Sequence, residues 1–79
     1  MYTILIVDDE ESVLEVLRTS IGWQELGVGT LLSAMDGIAA LEQFERCRID
    51  LLIADIRMPR MDGMELIDRV RKLSPDTRC

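Results

Sequence analysis

The chain has 79 residues, enough for a single small domain. Its content, 48% hydrophobic and 30% charged, is that of a globular chain and makes disorder a poor description. A net charge of −6 argues against nucleic-acid binding by this segment itself.

In chain order, Thr3-Ile4-Leu5-Ile6-Val7 is a continuous apolar run rich in β-branched residues. It does not alternate, so it reads as a strand buried on both faces, as in a parallel sheet. It stops abruptly at Asp8-Asp9-Glu10-Glu11, four acids that suit a helix start. Val13, Leu14, Leu17 and Ile21 recur at helical spacing, and Gly22 is a plausible stop. Residues 23–29 read as a loop, and Val28 to Ala34 as a second strand weakened by Gly29 and Ser33.

Asp36-Gly37 marks a turn and helix start, after which Ile38, Leu41, Phe44 and Cys47 are expected to share one buried face. Leu51-Leu52-Ile53-Ala54 is the next apolar strand, and it too ends in an acid, Asp55. Met58-Pro59 and Asp62-Gly63 mark a loop. Met64, Ile67, Val70 and Leu73 form a helical stripe that Ser74-Pro75 closes. Thr77-Arg78-Cys79 resemble the approach to a further strand. Strand, helix, strand, helix, strand, helix implies two right-handed crossovers and a parallel α/β sheet.

Cys47 and Cys79 are too few and too far apart for a zinc site or a disulfide framework. Cys47 is expected to be a small buried hydrophobe and Cys79 an incidental thiol. Met1-Tyr2-Thr3 leads straight into the first strand, with no basic leader or long apolar run. The expectation is a cytoplasmic protein with no signal peptide or membrane span.

The chemistry lies in the strand ends. Ligands of open parallel sheets sit beyond the carboxyl ends of the strands, where the strand order reverses. If the first and third strands are neighbours, Asp8, Asp9 and Asp55 meet in one crevice. Carboxylates that close repel one another, and a cation relieves the repulsion. An all-oxygen, water-accessible set suits Mg²⁺. A carboxylate can also act as a nucleophile and form an aspartyl phosphate. Taken singly, Asp8 and Asp9 also read as helix N-cap acids, Asp55 as a solvated strand end, and Asp62-Gly63 as a turn.

Two stretches together resemble the receiver domains of bacterial response regulators. They are Ile4-Leu5-Ile6-Val7-Asp8-Asp9-Glu10 and Leu51-Leu52-Ile53-Ala54-Asp55-Ile56-Arg57-Met58-Pro59-Arg60-Met61-Asp62-Gly63. The resemblance implies a flavodoxin-like (CheY-like) fold with strand order 2-1-3-4-5. It implies that Asp55 is the phosphoryl acceptor and that a sensor histidine kinase supplies the phosphoryl group from a phosphohistidine. Asp9, Asp55 and the backbone carbonyl of Arg57 would bind Mg²⁺ (or Mn²⁺) directly, and Asp8 through a water. Pro59 and Gly63 would shape the loop. Ile21-Gly22-Trp23-Gln24-Glu25-Leu26-Gly27 looks like receivers joined to an AraC-type helix-turn-helix output domain that acts on DNA, although Trp23 also reads as a packing residue.

Residues 1–79 then form an incomplete receiver, with strands 1–3 and helices 1–3. The family's Ser/Thr after strand four, its Lys after strand five, its aromatic switch residue and its usual output face fall outside. The outer edge of the third strand is expected to lack a partner and to drive self-association. No phosphorylation-dependent output is expected from these residues alone. A receiver-like interaction or dimerisation module is the competing reading. An aspartate-nucleophile phosphatase fits poorly, because Arg57 stands where such enzymes carry a second acid and the chain has no histidine.

Overall fold

A computed structural model of the chain describes residues 1–55 and 61–79. Three strands, β1 (Tyr2–Val7), β2 (Val28–Ala34) and β3 (Leu51–Ala54), alternate with three helices, α1 (Glu11–Ser20), α2 (Gly37–Arg46) and α3 (Gly63–Leu73). The sheet has the order β2-β1-β3 and both pairings are parallel. The chain moves one way along the sheet from β1 to β2, then back across β1 to β3. Crossovers of one hand therefore put α1 and α2 on opposite faces.

The side chains of β1 divide between two cores. Ile4 and Ile6 join Leu14 of α1 and Val28, with Trp23 and Leu17 packed against them. Leu5 and Val7 join Ala40 of α2, Leu66 and Val70 of α3, and Leu52. This is the alternation of a central strand buried on both sides, and it explains why β1 reads as an unbroken apolar run. The loop after α1 contains a 3₁₀ turn, Gln24–Leu26, closed by Gly27 at φ 86°, a left-handed conformation that glycine adopts without steric cost. Trp23 packs on the core and its Nε1 donates to the Leu17 carbonyl at 2.9 Å.

Two of the expected helical stripes are rotated. In α2 the buried residues are Gly37 and Ala40, with Leu41 and Phe44 packed against the core. Cys47 is exposed, at the helix C-cap, and Ile38 also meets solvent. In α3 the buried residues are Gly63, Leu66 and Val70, while Met64 and Leu73 are 62% and 61% exposed. The reason is geometric. A run of i+3 steps drifts about 60° per step on a helix of 3.6 residues per turn, so its two ends leave the face that its middle occupies. The mixed i, i+3, i+7 set stays on that face.

Beyond α3 the chain is pinned back to the sheet. The Thr77 hydroxyl is buried and donates to the Ile49 carbonyl at 2.6 Å, so the Ser74 hydroxyl, 2.7 Å away, donates to Thr77. Arg78 then bridges Leu51 in parallel: its N–H donates to Asp50 at 2.9 Å, and Leu52 N–H donates to its carbonyl at 2.7 Å. The approach to a further strand is real, and the outer edge of β3 is less bare than expected. Among the described residues that pairing stops at Leu52, and Ile53 beside it is 42% exposed.

Three substitutions check this packing and the pinned chain after α3 by urea denaturation followed by circular dichroism. Leu66→Ala is expected to cost about 3 kcal/mol, a large share of a small domain's stability, while Met64→Ala changes it by less than about 0.5 kcal/mol. Equal effects would contradict the rotated face. Thr77→Val is expected to cost about 1–2 kcal/mol, because it leaves the Ile49 carbonyl without its donor.

Candidate functional site

The carboxyl ends of β1 and β3 lie side by side. Val7 pairs with Ala54, the last pair of that ladder, and one further hydrogen bond follows on each side of β1. Asp55 N–H donates to the Val7 carbonyl at 3.0 Å, and Asp8 N–H donates to the Ala34 carbonyl of β2 at 3.1 Å. Both acidic segments thus leave the sheet from backbone positions fixed by hydrogen bonds.

The result is a cluster. One carboxylate oxygen from each of Asp8, Asp9 and Asp55 lies within 4.8 Å of the others. Asp8 is half-buried and Asp9 and Asp55 are exposed, so water reaches all three. Asp8 also accepts from the Glu10 N–H at 3.0 Å through Oδ1, which bends the chain into α1. The N-cap of α1 is Glu10, with no side-chain capping bond, so neither Asp8 nor Asp9 serves as the helix cap.

Other acids near this end have a different task. Asp36 caps α2 by accepting from Ala39 N–H at 2.8 Å, and Asp62 caps α3 by accepting from Glu65 N–H at 2.9 Å. Asp62-Gly63, read from sequence as a turn in the loop, is therefore the start of α3, with Gly63 as its first helical residue. Arg18 of α1 is held by Glu11 at 2.8 Å, Glu15 at 3.2 Å and the Ser33 hydroxyl at 3.1 Å. Arg57 and Pro59 lie outside the described residues.

The donor set fits a small hard cation. Mg–O bonds of about 2.1 Å put ligand oxygens about 3–4 Å apart, and Mg²⁺ keeps several waters when bound by few carboxylates. Three accessible carboxylates of the observed spread meet that demand with little movement, and one of them can act through a water. A cavity of about 420 Å³ elsewhere, lined by Tyr2, Ile4, Leu26, Val28, Leu51 and Arg78 among others, lies toward the amino ends of the strands and contains none of these acids.

Sequence reasoning missed one residue at this end. Met61 is buried and rests against Gly37. Its only signal was position, one residue before the α3 cap.

Known proteins share both pattern and fold. A family model described as the response regulator receiver domain matches residues 4–79. The uncharacterized transcriptional regulatory protein YesN of Bacillus subtilis is 37% identical over 78 residues, covering 99% of this chain and 21% of its own length. The crystal structure of an AraC two-component transcriptional regulator from Clostridium phytofermentans superposes with a TM-score of 0.91 at 42% identity, over 96% of this chain and 61% of that one. The response regulator TrrA of Thermotoga maritima has been solved with Mg²⁺-BeF and with the histidine kinase ThkA. It gives a TM-score of 0.84 at 38% identity, over 98% of this chain and 64% of that one. The chain thus spans about a fifth of its YesN relative and under two thirds of these solved chains. With most of β1, all of β3 and their acidic ends inside a match that runs from Ile4 to Cys79, the chain belongs to the response regulator receiver domain family.

Proposed function

We propose that Asp55 accepts a phosphoryl group from the phosphohistidine of a sensor histidine kinase, with Mg²⁺ (or Mn²⁺) held by Asp8, Asp9 and Asp55. The convergence of these three carboxylates at the ends of β1 and β3 carries this reading. An Asp55 carboxylate oxygen forms the new O–P bond as the donor's N–P bond breaks and the imidazole leaves with the electron pair. Bound Mg²⁺ supplies neutralisation of the charge on the phosphoryl oxygens. Asp9 and Asp55 would be direct ligands together with the Arg57 carbonyl, and Asp8 would act through a water. Pro59 and Gly63 would shape the connection after the acceptor.

The phosphoryl group goes to the chain's own side chain, so the module signals rather than turning over a substrate. TrrA, solved with Mg²⁺-BeF and with a histidine kinase, supports both the ion and the partner. The AraC-type relative supports control of a transcription output domain. In this reading residues 1–79 are the metal-binding part of a receiver, working in the cytoplasm. No helix among the described residues is long and apolar enough to cross a membrane.

A second reading, association between copies, is favoured by the edge of β3. Leu52 N–H points outward to Arg78, so by the alternation of a parallel ladder Ala54 also points its N–H outward, beside exposed Ile53.

Intact mass after incubation with Mg²⁺ and acetyl phosphate tests the first reading. One phosphoryl group is expected on the chain, and none on Asp55→Asn or when EDTA replaces Mg²⁺. Equal labelling of Asp55→Asn, or an unlabelled parent chain, would defeat it. Sedimentation equilibrium tests the second: the chain is expected to self-associate as concentration rises, and Ile53→Lys to remain monomeric. A parent chain that stays monomeric at high concentration would end that reading.

A further inference from the structure

The connection from β3 to α3 is held at both ends by different neighbours. At the first end, Asp55 donates its N–H to Val7 of β1 at 3.0 Å. At the second, Met61 is buried in the core shared by α2 and α3, and the next residue, Asp62, caps α3. Five residues, 56–60, join the two anchors.

The second anchor depends on an absent side chain. Gly37 is the first residue of α2, and a Cβ placed there would lie 2.8 Å from the Met61 Cβ and 2.9 Å from its Sδ. No real Cβ tolerates such a distance. Because the Cβ of Met61 is involved as well as its flexible end, rotating the side chain does not relieve the contact, and the backbone at Met61 or at residue 37 has to move. The backbone of Gly37 makes no such demand, since Gly27 is the glycine with positive φ among the described residues. Glycine is required at position 37 by its neighbour and not by its own conformation.

The same segment is tied to the acids from the other side. Asp8 N–H bonds to Ala34, two residues before Asp36, the cap of α2. The end of β2 and the start of α2 therefore connect the anchor of Asp8 to the anchor of the connection that follows Asp55. Met61 is thus joined to Asp8 through Gly37, Asp36 and Ala34, and it stands six positions after Asp55 in the chain.

We infer that Gly37 is a positioning residue for the Asp55 site: by leaving room for Met61, it fixes where the chain after Asp55 returns to α3. This rests on the reading of Asp8, Asp9 and Asp55 as an Mg²⁺ site, and it adds the start of α2 to the groups that set the site's geometry. A substituted position 37 displaces the far anchor, loosens the ligand set and weakens ion binding, although residue 37 never touches the ion.

Calorimetric titration with MgCl₂ tests this on the 79-residue chain and on Gly37→Ala, Met61→Ala, the double variant and Val70→Ala, with urea unfolding of each as a measure of stability. Gly37→Ala and Met61→Ala are each expected to weaken Mg²⁺ binding about tenfold, the size of effect seen when groups that orient metal ligands are lost. The double variant is expected to bind no more weakly than the poorer single variant, because both break one anchor. Val70→Ala, which opens the same core away from Met61, is expected to lose stability and keep the parent's affinity. A folded Gly37→Ala with the parent's affinity, or single effects that multiply in the double variant, would overturn the inference. If Gly37→Ala does not fold, the contrast between Met61→Ala and Val70→Ala decides: equal affinities overturn the inference. A parent chain that binds no Mg²⁺ would remove the ion reading and this inference together, whereas a binding parent with unaffected variants would remove this inference alone.

Discussion

Two backbone hydrogen bonds at the end of β1, from Asp8 N–H to Ala34 and from Asp55 N–H to Val7, hold three chain segments at one point of the sheet. The middle position of β1 makes this possible. Its neighbours on either side are parallel to it, so all three carboxyl ends face the same way. The two cores on opposite faces of β1 keep the strand dry, and a dry ladder leaves no water to compete for its bonds. Three carboxylates held near one another oppose folding through mutual repulsion. A small domain accepts that cost when burial on both faces of the sheet outweighs it, and a cation offsets it further.

The strands and the acidic cluster were legible because their signals are local. An unbroken apolar run that ends in acids specifies both a doubly buried strand and what lies at its carboxyl end, and Val7-Asp8-Asp9 and Ala54-Asp55 contain that information within a few residues. The second strand ran from Val28 to Ala34 as read, despite Gly29 and Ser33. The helix faces were harder. Ala40, Gly37 and Gly63 carry little or no side chain, so hydropathy gives them small weight, yet all three are buried, and Gly37 leaves room for Met61. Larger apolar residues nearby, Ile38, Met64 and Leu73, drew the stripe away from its true centre. Cys47 shows the same bias: its chemistry favours burial, but its place at a helix end decides otherwise.

Long-range hydrogen bonds were not legible. Nothing around Thr77 announces that its hydroxyl reaches Ile49, 28 positions earlier, or that Asp50 accepts from the Thr3 N–H at 2.8 Å. Both bonds join segments that meet only after the sheet has formed. They brace the amino end of β3, at the opposite end of the strand from Asp55, so that the strand is tied at both ends.

The chain's one tryptophan adds a practical consequence. Trp23 packs beside the first residue of β2, whose N–H donates to its carbonyl at 3.0 Å. It therefore sits near the amino ends of the strands, while the acids occupy the carboxyl ends. Six residues of β1 at about 3.3 Å each separate the two ends by roughly 20 Å. Indole emission from this chain is thus a clean optical probe of unfolding, since the ring leaves its pocket when the core opens. The ring stands apart from the acidic cluster, so its emission follows the packing at the amino ends of the strands rather than the carboxylates themselves.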